Sequence, residues 1–271
     1  MSAWITNARM YAVTPAVEES WRALLEHIIT EADVPLSYFS YPAPQPLETL
    51  WSRSDLGAVL MCGYPIALRL AAVVPLAAPI PTAPWAAGRA VYRTDLIVRA
   101  DAPYRTLEDT FGRRAGWTVE HSHSGFNALR HHLLAYRTLQ RPALYAEMVG
   151  NLVTARNVLD SVRAERIDVG PLDAYWHLLL ARHAPELTGG VRVLTSTAVA
   201  PMPAFVAAAG APAEVTGRLR AAFLAARRRS WFGPLAEALL LEGFAEVSED
   251  TYAPLLQWKR AAQAAGYDRP A

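Results

Sequence analysis

Apolar residues recur at helical spacing after Pro15, at Val17, Trp21, Leu24, Leu25, Ile28 and Ile29, which predicts an amphipathic helix with proline at its first position. Residues 8–13 before it read as a short strand. The same unit appears again downstream. Residues 56–61 are an apolar run of strand length, Cys62-Gly63-Tyr64 is a turn, and Pro65 opens a helix reaching to about Val73. Residues 75–84 read as a proline-rich surface crossing, 92–98 and 113–119 as strands, and the polar loop 120–125 leads into a helical stretch over 126–136. Strands over 144–150 and 167–170 each feed a helix, 154–163 and 172–181. Residues 191–194 and 205–208 are further strands, and the remaining chain is mostly helical. Alternation of this kind predicts an α/β architecture with mainly parallel sheets.

Composition narrows the classes. The 271 residues are 52% hydrophobic and 19% charged, which predicts a packed globular protein. With 26 Lys plus Arg against 25 Asp plus Glu, the chain has no global field for drawing in nucleic acid or an anionic membrane, so a charged ligand must be caught locally. No nucleic-acid partner and no membrane insertion are expected. The richest apolar run, 67–84, is broken by Arg69 and by prolines 75, 79, 81 and 84. The single cysteine, Cys62, excludes an internal disulfide framework and reads as a small buried side chain at a strand end.

Candidate chemistry concentrates in the loop His121-Ser122-His123-Ser124-Gly125, placed between a strand and a helix. Backbone N–H groups and two hydroxyls at such a junction suit an anion, although Ser124 acting only as a helix cap would produce the same pattern. Dinucleotide and nucleotide phosphate loops (G-x-G-x-x-G, G-x-x-x-x-G-K-[ST]) are absent. Glu120 and Phe126 occupy the places where the G-x-S-x-G of a hydrolase needs glycine. His121 and His123 lack a nearby carboxylate to complete a metal set, and no metal, cofactor or catalytic residue is expected. Asp173 falls in the first turn of a helix, where the dipole favours a carboxylate with or without a ligand. The run Arg227-Arg228-Arg229 reads as a solvated helix face.

Taken in order, Cys62-Gly63-Tyr64-Pro65, Tyr92-Arg93-Thr94, Ser122-His123-Ser124-Gly125-Phe126-Asn127-Ala128-Leu129-Arg130 and Ile167-Asp168-Val169-Gly170-Pro171-Leu172-Asp173 resemble the phosphate/phosphonate substrate-binding proteins of ABC transporters. The resemblance runs from about residue 8 to about 250. It implies a two-lobed, periplasmic-binding-protein-like fold of the second type, with lobes of 1–95 plus 200–271 and 96–199, two crossings, and a ligand cleft between lobes. It further implies a non-catalytic solute-binding role toward a small phosphorus oxyanion (phosphonate, phosphate, phosphite or an ester), with an ABC permease as partner. Its ligand contacts carry over as Ser122, His123, Ser124, Gly125, Tyr64, Tyr92 and Asp173. Many relatives have a Gly-Ser-His turn where this chain reads Gly150-Asn151-Leu152. A periplasmic location is expected if a signal has been removed, and a cytoplasmic one if Met1 is the native start. A cytosolic ligand-binding or sensing protein of the same fold, for another small molecule, aromatic ones included, is the alternative reading.

Overall fold

The computed structural model describes residues 4–271, which divide into two compact units: the chain up to Tyr92 with Pro201–Ala253, and Arg93–Ala200 with Pro254–Ala271. The tail beyond Ala253, expected in the first lobe, belongs to the second unit. The contacts that hold it there are specific: Asn127 donates to the Leu255 carbonyl at 3.0 Å, Trp258 stacks on His131 at 4.6 Å, and Leu144 N donates to the Ala271 carbonyl at 2.8 Å.

In the first unit a six-stranded sheet runs in the order Leu241–Glu246, Val73–Pro81, Ala204–Ala208, Leu56–Met61, Trp4–Asn7, Leu36–Tyr38. Trp4–Asn7 pairs in parallel with both its neighbours, while Ala204–Ala208 and Leu241–Glu246 enter antiparallel, so four strands share one direction and two oppose it. The opening strand lies earlier than the predicted 8–13. Asn7 ends it by accepting the Arg9 N–H at 2.8 Å, and Arg9–Tyr11 becomes a 3-10 turn. The helix Pro15–Ala32 is as expected, with Thr14 capping it and Val17, Trp21, Leu24, Leu25 and Ile28 buried.

The predicted surface crossing is instead a nine-residue strand in this sheet, Val73–Pro81. Its prolines at 75, 79 and 81 sit in ladders that are irregular on both sides, with one register shift against Ala204–Ala208 and another against Leu241–Glu246, as missing N–H donors require. A strand also interrupts the C-terminal region expected to be helical, because Leu241–Glu246 pairs with that proline-rich strand and buries Leu241 and Phe244.

The second unit has the order Val191–Ser196, Thr94–Arg99, Gly170–Asp173. A parallel bridge from Val169 to Ala115 joins these to the pair Arg114–Gly116 and Glu147–Val149, which is itself parallel. Here Thr94–Arg99 is the strand that opposes the rest. The core gathers Leu96, Val98, Leu107, Ala115, Leu129 and Tyr267. Beyond Gly116 the chain leaves the sheet edge as Trp117-Thr118 and enters the polar loop.

Candidate functional site

The polar loop is built from its glycine outward. A Cβ on Gly125 would lie 1.9 Å from Thr118 Oγ1, so only glycine lets the helix start close over the strand end, where the Thr118 N–H donates to the Gly125 carbonyl at 3.2 Å. His123–Asn127 forms a π-helical turn that runs on into the helix Ala128–Leu133. Ser122, not Ser124, is the cap: its Oγ accepts the Gly125 N–H at 3.0 Å. The Ser124 hydroxyl has no hydrogen-bond partner among the described residues, while its carbonyl accepts from Thr94 Oγ1 at 3.1 Å. Thr94, the last residue of the Tyr92-Arg93-Thr94 stretch, is therefore a support of this loop. Its own N–H donates to Thr197 Oγ1 at 3.1 Å.

His123 is placed in the interior, 1% exposed, with its ring 5.1 Å from Trp258 and its Nδ1 3.3 Å from Asn127 Nδ2. Burial, reinforced by neighbouring His131, pushes its pKa down to about 3. The ring is neutral at physiological pH, and because the amide of Asn127 donates, Nδ1 accepts. Asn127 is fully buried and links three elements. Its Nδ2 reaches the Leu255 carbonyl at 3.0 Å, its Oδ1 accepts from Arg130 Nη2 at 3.1 Å, and Arg130 in turn donates to the Asp268 carbonyl at 2.6 Å. The C-terminal segment thus buttresses the inner side of the helix whose first turn carries the serines.

Asp173 is the cap of the helix Ala174–His183, its Oδ1 accepting the N–H groups of Tyr175 at 2.9 Å and Trp176 at 3.0 Å. The helix starts two residues later than the predicted 172, so Asp173 lies just before its first turn, at the end of the strand Gly170–Asp173, where it pairs with Thr94. Burial, with the Asp173 charge adding to it, raises the Tyr175 hydroxyl well above its ordinary range. One strand over, the buried carboxylate of Asp95 accepts from Ser196 Oγ at 2.8 Å and lies 3.2 Å from His177 Nδ1 and 3.3 Å from Arg93 Nε. No local sequence signal marks this cluster, because His177 and Ser196 lie 82 and 101 residues from Asp95.

Of the seven predicted site residues, Ser122, His123, Ser124, Gly125 and Asp173 fall in the second unit, where Thr94 touches Ser124 and pairs with Asp173. Tyr64 and Tyr92 fall in the first unit, both buried, the Tyr92 hydroxyl 4.0 Å from Cys62 Sγ. Cys62 follows the strand Leu56–Met61 and is itself buried, as its strand-end position predicts. Among the described residues no group of His, Cys, Asp and Glu could hold a metal ion.

The chain leaves and re-enters each of its two α/β units, and one of them carries the serine-rich helix start. The family model described as "ABC transporter, phosphonate, periplasmic substrate-binding protein" matches residues 12–252, and the chain belongs to that family. Among solved structures, a binding protein component of an ABC phosphonate transporter from Pseudomonas aeruginosa is similar at TM-score 0.80 and 15% identity, over 98% of this chain and 88% of that one. PhnD1 from Prochlorococcus marinus in complex with methylphosphonate is similar at TM-score 0.78 and 13% identity, over 96% and 98%. A Xanthomonas citri protein bound to ATP is similar at 0.65 and 20% identity, over 98% of each chain. At these identities the likeness is one of fold. The curated proteins contain no match. No helix among the described residues is long and apolar enough to cross a membrane.

Proposed function

We propose that this chain is the non-catalytic receptor of an ABC importer for a small phosphorus oxyanion (phosphonate, phosphate, phosphite or an ester of one), and that the first turn of the helix beginning at His123 holds the anion. The observation that carries this reading is the division of labour between the two serines. Ser122 satisfies the helix start, which leaves the Ser124 hydroxyl uncommitted on a turn whose backbone is fixed by Gly125, Thr118 and Thr94. Hydroxyls and amides at a helix start share a negative charge without a cationic partner. Ser122 and Gly125 act by shaping that turn, His123 by supporting it from inside, and Asp173 by fixing the neighbouring helix. Tyr64 and Tyr92 are assigned to the ligand by family resemblance.

A binding role without catalysis fits the same geometry, because the His123 imidazole is held by Asn127 in the interior and is not offered to a serine as a base. The family description supports an ABC permease as partner and the periplasm as location. Thermal shift against methylphosphonate, phosphate, phosphite and sulfate tests the reading, since a ligand at 100 times its Kd stabilises by about 2.7 kcal/mol. Calorimetry then distinguishes the serines. Ser124→Ala is expected to cost about 1.5–3 kcal/mol of binding with little change in Tm. Unchanged affinity in Ser124→Ala would remove the loop from the site.

A further inference from the structure

In the first unit, Asn7 ties together the exits of two neighbouring strands. Its Oδ1 accepts the Arg9 N–H at 2.8 Å and its Nδ2 donates to the Phe39 carbonyl at 2.7 Å. The strands Trp4–Asn7, Leu36–Tyr38 and Leu56–Met61 run parallel, and Arg9, Tyr41 and Tyr64 each follow the carboxyl end of one of them. In open α/β sheets that edge is where ligands bind.

Three arginines of this unit lie over the aromatic rings of one short segment. Arg22 covers Tyr38 and Arg53 covers Phe39, each at 4.6 Å from the ring centre. Both also have a carboxylate, Glu19 at 3.6 Å from Arg22 and Asp55 at 2.6 Å from Arg53. Arg9, 5.3 Å over the Tyr41 ring, forms no ion pair with any described residue; its Nη1 donates to the Gln45 carbonyl. A ring face and a carbonyl are neutral, and Glu48 acts on Arg9 only through space. Burial lowers the Arg9 pKa, and Glu48 and Tyr41 offset that only in part. The side chain is half-buried, so its charge is costly to keep unless an anion meets it. Its platform is fixed as well, since the Tyr41 hydroxyl donates to the Pro46 carbonyl at 2.8 Å and the ring stacks on Phe39 at 6.0 Å. With Nη1 engaged, the Nε and Nη2 edge has no hydrogen-bond partner among the described residues, and that edge matches the two oxygens of a carboxylate.

We propose that Arg9, seated on Tyr41, is an acid-binding subsite of the first unit, and that the solute carries a carboxylate or a second acid group in addition to its phosphorus oxyanion. This rests on the reading of the chain as an oxyanion receptor. It adds the charge of the substituent, which neither the serine loop nor the family description specifies.

The test uses two pairs of probes that differ in a carboxylate against a methyl group: 3-phosphonopropionate with n-propylphosphonate, and phosphonoacetate with ethylphosphonate. Calorimetry is run on the wild type, Arg9→Gln and Arg9→Lys. The wild type is expected to prefer the carboxylate in at least one pair. Arg9→Gln keeps a donor for the Gln45 carbonyl and removes the charge, so it should lower that preference about tenfold or more with alkylphosphonate affinity unchanged. Arg9→Lys keeps the charge without the fork and should retain part of the preference. A wild type with no preference in either pair overturns the subsite, whether or not a variant folds, while alkylphosphonate binding keeps the serine loop. A preference that survives Arg9→Gln also overturns it. So does an equal loss of affinity for both members of a pair, because Arg9 would then only staple the loop 41–46. A wild type that binds none of the four probes, nor phosphate, overturns the oxyanion reading itself.

Discussion

Asn127 donates its side-chain amide to the carbonyl of Leu255, 3.0 Å away and 128 residues further along the chain. The contact ties the first helical turn of the serine loop to a segment reached only after the chain has passed through the first unit and returned. Asn127→Ala leaves that carbonyl and a guanidinium N–H of Arg130 without their partner in a buried position. It is expected to destabilise the second unit by about 1–3 kcal/mol. Hydrogen exchange should then show the loss of protection concentrated at residues 122–128 and at the tail. A uniform loss across the second unit would mean that Asn127 has no local role in shaping the turn.

The sequence made the strand–loop–helix units legible because their signals are local. Pro15 with its spaced apolar positions, and Ser122 to Gly125 before an apolar stretch, need only neighbours a few residues away. The errors have the opposite cause. The prolines of Val73–Pro81 argue against a central strand until the pairing partners, Ala204–Ala208 and Leu241–Glu246, are known to lie far along the chain. Residues 254–271 gave no sign of which unit they join, since their partners Asn127, His131 and Leu144 lie more than a hundred residues back. At the site, residue types were readable and orientations were not. His123 resembles its serine neighbours in sequence, yet the π-helical turn directs it inward.

Gly125 is expected to be intolerant of a single methyl group. Gly125→Ala places a Cβ 1.9 Å from Thr118 Oγ1 and 2.8 Å from two further Thr118 carbons, and overpacking of this kind costs about 1–3 kcal/mol or more. All three atoms belong to one side chain. The double variant Gly125→Ala with Thr118→Gly should therefore recover much of the loss, and urea denaturation of the four members of the cycle measures that coupling. Additive losses would place the strain elsewhere.

Asp173 has a structural duty that must be separated from any ligand contact. Its Oδ1 caps two N–H groups, so Asp173→Ala is expected to cost about 1 kcal/mol of stability. Asp173→Ser keeps a capping oxygen and drops the charge, and should restore most of that stability. If Asp173→Ser restores the melting temperature but changes the relative affinities for methylphosphonate and phosphate, the carboxylate also selects the ligand. If both properties return together, its part is the cap alone.

The buried imidazole of His123 makes stability depend on pH in a calculable direction. Its pKa in the fold is about 3, held down first by burial and then by His131, against an ordinary value of 6.5. The unfolded chain takes up this proton as pH drops through about 6.5, whereas the folded chain resists until about 3. The contribution is therefore fully present above the unfolded value and is lost progressively as pH falls toward the folded one. His131 and His132 are lowered by burial as well and act in the same sense. His123→Gln keeps an acceptor for Asn127 and removes the proton site. Its urea midpoints, measured from pH 7 to pH 4, are expected to fall less steeply than those of the wild type. The difference in slope should approach one proton, about 1.4 kcal/mol per pH unit. Equal slopes would mean that the ring is already protonated in the folded protein, and the hydrogen bond from Asn127 would then have to be redrawn.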